Sequence, residues 1–106
     1  MAFLPVKEYK LTLSGTATQQ QLLPVTDEST GNYFQVRLYS PTSDIVCKFG
    51  DNTVSASNIY TGNALADGNF TVFYDRVEAF DFKQAQPYLS AIGTGTLYVT
   101  VGYNEP

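Results

Sequence analysis

Apolar and polar residues alternate with a period of two along most of this chain, the spacing that sends successive side chains to opposite faces of a strand. From Lys7 to Leu13 the residues Tyr9, Leu11 and Leu13 share one face. From Tyr33 to Tyr39, Phe34, Val36 and Leu38 share one face, and Gln35 and Arg37 the other. In Ile45–Phe49 the inward set is Ile45, Cys47 and Phe49, and Gly50-Asp51-Asn52 follows with turn chemistry. Phe70–Tyr74 is aromatic and β-branched after the turn Asp67-Gly68-Asn69, and Ala79–Phe82 is a shorter strand candidate. Tyr88–Ile92 and Thr96–Val101 flank Gly93-Thr94-Gly95, whose length and glycines predict a three-residue hairpin loop. In Thr96–Val101, Leu97, Val99 and Val101 point to the core.

Gln19–Pro24 reads as an edge strand and Thr26–Gly31 as a loop; Phe82–Gln86 has the best helical pattern and is too short to be more than a turn. Pro5, Pro24, Pro41 and Pro87 lie at strand ends, where a missing backbone donor costs little. About seven to eight short, mostly antiparallel strands separated by frequent turns predict an all-β fold, a small β-sandwich of jelly-roll or immunoglobulin-like type. With 106 residues and no internal repeat or linker, the expectation is one domain over residues 1–106, with 1–6 as a candidate N-terminal arm.

Composition narrows the function. Charged residues make up only 15% of the chain, so Thr, Ser, Asn, Gln and Tyr must cover much of the surface, which suits lasting association with a partner. The net charge is −4, and Lys7, Lys10, Arg37, Lys48, Arg76 and Lys83 are scattered, so no basic stripe exists to displace phosphate counterions. Neither nucleic acid nor an anionic membrane is an expected partner. The beginning, Met1 to Val6, lacks the apolar length and basic lead of a signal peptide, and no run of about 20 apolar residues is present. The expected setting is a cytosol or a particle assembled in it.

Catalytic chemistry is scarce. The chain has no histidine, which removes Ser-His and Cys-His nucleophile schemes, and one cysteine without histidine cannot hold structural zinc. Cys47 cannot form an intrachain disulfide and is read as a small apolar strand residue. Asp75, Glu78 and Asp81 cluster near a turn and form the only carboxylate group worth weighing for acid–base work; solvated turn acids are the preferred reading. Asp51 with Asn52, and Asp67 with Asn69, do not follow a calcium-ligand spacing. Gly93-Thr94-Gly95 lacks the lysine and helix of a phosphate loop, and Asn69-Phe70-Thr71 matches the glycosylation acceptor pattern by accident. No catalytic residue, cofactor or metal is therefore expected.

Eight tyrosines and seven phenylalanines are the excess that asks for an account. The phenylalanines are assigned mainly to the core. Tyr39, Tyr98 and Tyr103 are assigned to outer strand positions, where tyrosine serves as a protein contact or a sugar platform.

Three stretches carry a family resemblance: Val36-Arg37-Leu38-Tyr39-Ser40-Pro41-Thr42-Ser43; Ile45-Val46-Cys47-Lys48-Phe49-Gly50-Asp51 with Val54-Ser55-Ala56-Ser57; and Tyr88-Leu89-Ser90-Ala91-Ile92 with Gly95-Thr96-Leu97-Tyr98-Val99-Thr100-Val101-Gly102. Together they resemble small virion structural proteins of tailed bacteriophages, over about half the chain. The resemblance implies a head decoration or accessory protein on the capsid surface of the virion. Its partners would be the major capsid (coat) protein and further copies of itself, as in a trimer at a local threefold. Contacts are expected at Phe3, Leu4, Tyr39, Tyr98 and Tyr103. The alternative expectation is a carbohydrate-binding or host-attachment module of a phage tail or fibre.

Overall fold

The computed structural model describes residues 3–22, 34–57, 68–82 and 87–104. Eight strands run in the order β1 (Phe3–Ser14), β2 (Thr18–Gln21), β3 (Phe34–Tyr39), β4 (Ile45–Gly50), β5 (Phe70–Val72), β6 (Val77–Phe82), β7 (Tyr88–Ile92) and β8 (Thr94–Asn104). No helix occurs among the described residues. The expected turn at Phe82–Gln86 and loop at Thr26–Gly31 lie mostly or wholly outside them.

Two four-stranded antiparallel sheets form, ordered β1-β8-β3-β6 and β2-β7-β4-β5. The pairings β1·β8, β2·β7, β3·β6 and β4·β5 nest one inside the next, so the chain is one long antiparallel ribbon folded back on itself and rolled up. Further ladders β3·β8 and β4·β7 close the roll. This winding is the eight-stranded jelly roll, which decides between the two sandwich types expected from the sequence.

Alternation explains why the sheets stack. Leu11 and Leu13 of β1, Val36 and Leu38 of β3, and Leu97, Val99 and Val101 of β8 face the second sheet. Ile45 and Cys47 of β4, Val72 of β5, and Leu89 and Ala91 of β7 face them from the other side. Tyr9, Phe49, Phe70 and Phe80 pack against this single cluster, with Phe70 and Phe80 at 4.6 Å between ring centroids. Each large aliphatic side chain buried here stabilises the fold by about 1.5–3 kcal/mol.

The outer faces of the two sheets differ. β8 alternates half-buried and buried residues, as a strand with one open face should. In β7, Leu89, Ser90 and Ala91 are all buried, because residues after β4 lie over it. There the amide of Ala56 donates to Ser90 Oγ at 2.8 Å, and Ala56 itself is buried. Gln19 on β2 donates from Nε2 to the carbonyl of Asn52 at 2.9 Å, and the amide of Ser57 donates to Asn69 Oδ1 at 2.9 Å. The segment following β4 thus lies over β7 and reaches β2 on the outer side of its own sheet.

Two sequence expectations change. Gly93-Thr94-Gly95 does not close a hairpin: β7 and β8 belong to different sheets, and the glycines carry the chain around the corner between them. Gly93 and Gly95 sit at φ 152° and 114°. A side chain at Gly95 would collide with Thr42 Oγ1, so this corner needs glycine for space as well as for conformation. The second change is at the N-terminus. From Phe3 onward the candidate arm is strand, since Phe3, Leu4 and Pro5 pair with Asn104, Tyr103 and Gly102.

Gly95→Ala should lower unfolding stability by about 1–3 kcal/mol, the range for a strained non-glycine residue. Gly15→Ala, also at positive φ (94°) but with nothing within 4 Å of the added Cβ, should cost less. Urea denaturation midpoints of the two variants check the order; equal losses would mean that the contact with Thr42 is immaterial.

Candidate functional site

The outer face of the β1-β8-β3-β6 sheet is the broad surface that no described segment covers. Its side chains stand in rows across the strands. Lys10 of β1 is opposite Tyr98 of β8, Tyr98 opposite Tyr39 of β3, and Tyr39 opposite Val77 of β6. The next row runs Glu8, Thr100, Arg37, Ala79. Direct cross-strand neighbours lie about 4.5–5.5 Å apart at Cβ, so each row forms a continuous stripe.

Within the first row the rings of Tyr39 and Tyr98 stack with centroids 6.4 Å apart. Val77 is 63% exposed, high for a branched apolar side chain on a strand. In the second row Thr100 Oγ1 donates to Glu8 Oε2 at 3.3 Å and Arg37 Nε donates to Gln35 Oε1 at 3.2 Å. The Arg37 guanidinium lies over the ring of Phe3, 4.1 Å from its centroid. Phe3, Glu8, Arg37, Tyr39, Val77, Tyr98 and Thr100 line a shallow depression of about 480 Å³.

Phe3 reaches this face because of a β-bulge. Glu8 and Lys10 point outward while Tyr9, Leu11 and Leu13 point to the core; unbroken alternation would carry Phe3 and Pro5 inward with them. A register shift between Pro5 and Lys7 inserts one unpaired residue and reverses the parity, which puts Phe3 and Pro5 on the outer side. Sequence alternation alone does not show this.

The structure places Phe3, Tyr39 and Tyr98 on one surface. Leu4 is opposite Tyr103 in the β1·β8 ladder. The side chains of Leu4 and Tyr103 lie outside the described ones. Arg37, Val77 and Thr100 complete the surface without having been singled out in the sequence. Val77 lay outside every strand read from the pattern, because Asp75 and Arg76 hide the start of β6.

A second feature adjoins this face at the β5–β6 turn. Phe73 and Tyr74, read as strand, lie beyond the end of β5 and are 48% and 61% exposed. Asp75 adopts φ 59°, left-handed for a residue that carries a Cβ. Three hydrogen bonds hold it: the Asp75 amide to the carbonyl of Ser40 at 2.7 Å, the Tyr74 amide to Asp44 Oδ1 at 2.9 Å, and the Tyr39 hydroxyl to Asp75 Oδ1 at 3.1 Å. That last bond, with the carboxylate's charge, raises the Tyr39 pKa above its ordinary value.

The carboxylates weighed for acid–base chemistry do not converge as a set. Asp75 is engaged in the turn, Glu78 lies opposite the core residue Leu38, and Asp81 is exposed on the other side of β6. No group of three or more acid, cysteine or histidine side chains suited to a metal occurs among the described residues. Asp51 Oδ1 accepts from the amide and hydroxyl of Thr53 at 2.9 and 2.6 Å, a local turn that lowers the Asp51 pKa. Asp67 lies outside the described residues. Asn69 is 3% exposed and bonded to Ser57, a position that an oligosaccharide transferase cannot reach in the folded chain.

No family model matches the sequence, and no curated protein matches it. Among solved structures, the chain is similar to one described as Bacillus endospore appendages that form a novel family of disulfide-linked pili. The TM-score is 0.54 at 16% identity, over 100% of this chain and 93% of the other. At that identity the likeness shows the fold alone.

Cys47 is fully buried, and desolvation pushes its thiol up to about 12. A raised folded-state pKa means the neutral thiol is favoured by folding. The associated stability is present below the ordinary value of 9.0 and is lost as pH rises from there through about 12. In native buffer at pH 8, Cys47 should resist an aromatic disulfide reagent and react at once in urea; rapid labelling of the folded chain would contradict its burial.

Proposed function

We propose that this protein is a structural component of a virus particle, a head decoration or accessory protein that binds the assembled coat lattice of a tailed bacteriophage. The observation that carries the proposal is the uncovered face of the β1-β8-β3-β6 sheet, with its stripe of Tyr98, Tyr39 and Val77 and its Phe3–Arg37 stack. Tyrosine and arginine anchors on a rigid sheet lose little conformational entropy on docking and are over-represented among residues that dominate interface energies. The resemblance of Val36–Ser43 and Tyr88–Gly102 to phage virion proteins supports the same reading, and Tyr39 and Tyr98 fall inside those stretches.

A clamp of this kind requires no chemistry. It binds the assembled lattice and not the free coat subunit, so it shifts the assembly equilibrium by mass action. The similar appendage structure is of disulfide-linked pili; this sequence has one cysteine, held in the core, so its own contacts are proposed to be noncovalent.

The protein should co-sediment with purified, undecorated capsids and raise their disassembly temperature. Tyr98→Ala and Val77→Ala change side chains on the open face without touching the core cluster. Each should weaken capsid binding by about tenfold or more while leaving the unfolding midpoint nearly unchanged. Failure to co-sediment, or full binding by both variants, would overturn the assignment of that face to the coat.

A further inference from the structure

We propose that the β5–β6 turn forms a separate saccharide-binding site, built from Phe73, Tyr74, Asp44, Asp75 and Arg76 and suited to an uncharged hexose at the end of a glycan. This goes beyond the capsid-binding reading and does not depend on it.

The five residues line an open depression of about 470 Å³. That volume falls within the roughly 300–1,000 Å³ range of small-molecule sites. Phe73 and Tyr74, two of the lining residues, are about half or more exposed and lie outside the core cluster. A pyranose has one face of C–H groups bearing slight positive charge, and an aromatic ring presents a negative face to meet it. The rim of the same sugar is a ring of hydroxyls, which needs acceptors and donors at fixed positions.

Those groups stand beside the rings. Asp44 Oδ1 accepts the Tyr74 amide and Asp75 Oδ1 accepts the Tyr39 hydroxyl. A carboxylate has about four lone-pair sites, so each keeps capacity to accept sugar hydroxyls. Arg76 supplies donors from the same depression.

The charge of the site selects among ligands. Two carboxylates against one guanidinium, in a chain of net charge −4, repel uronic and sialic acids. The same carboxylates would be costly to bury beneath an apolar protein surface, whereas glycan hydroxyls replace the water they lose. A neutral sugar is the ligand class that satisfies both the rings and the acids.

The backbone that carries the two rings is also held in advance. The amide of Asp75 is anchored to the carbonyl of Ser40, a fully buried residue whose hydroxyl in turn donates to the carbonyl of Ser43. Little ordering is left for a ligand to impose, which matters for a weak single-ring contact.

Amide chemical shifts of the full chain, titrated separately with glucose, galactose, mannose and N-acetylglucosamine, test the site. At least one sugar should shift Asp44, Tyr74, Asp75 and Arg76 saturably, with a Kd of about 1 mM, an ordinary strength for one ring in an open site. Phe73→Ala and Tyr74→Ala should each weaken that binding by about tenfold, and both residues are exposed enough for the variants to fold. Absence of saturable shifts with all four sugars would overturn the proposal, as would shifts centred elsewhere or undiminished binding by both variants. Because the titration contains no capsid, its outcome is independent of the coat-binding test.

Discussion

The fold depends on the meeting of the two ends of the chain. β1 and β8 pair along their length, from Phe3 opposite Asn104 to Ser14 opposite Thr94, and β8 then pairs with β3 on its other side. Without β1·β8 the first sheet loses an edge strand and the core loses the cover of Leu11 and Leu13. The nested pairings of the rolled ribbon are nearly all between residues far apart in sequence, so loop-closure entropy must be met before any of them contributes. The innermost pairing, β4·β5, is the most local place from which the winding can start.

The same pairing sets the surface. Because β8 lies between β1 and β3, Tyr98 stands beside Tyr39 and Thr100 beside Arg37, and the bulge near Pro5 then delivers Phe3 to the Arg37 guanidinium. The open face is a product of four strands in one register. A single-residue shift of β8 would bury Tyr98 and expose Leu97 and Val99, which the core forbids.

Much of this was legible in the sequence, for a definite reason. Strands with one buried face, such as Val36-Arg37-Leu38 and Leu97-Tyr98-Val99, write their orientation directly as alternation, and their inward sets are those of the structure. The pattern failed where a second cover or a change of parity intervenes. Ser90 is buried although it alternates with core residues, because Ala56 bonds to it from a segment more than thirty positions away. Phe3 faces outward through a bulge that leaves no compositional mark. Gly93 and Gly95 looked like a hairpin because glycine at positive φ serves a corner between sheets as well as a tight turn. The Phe73–Arg76 turn was hidden for a related reason: its aromatic residues extend a strand-like run past the point where the ladder of β5 stops.

The unequal covering of the two sheets has a consequence for assembly. A body whose outer sides were both adhesive could stack on itself without limit. Here the segment carrying Ala56 lies over the back of β7, so the two outer faces are unequally open. Subunits attached through the open face alone would coat a surface one layer deep, and growth would end there.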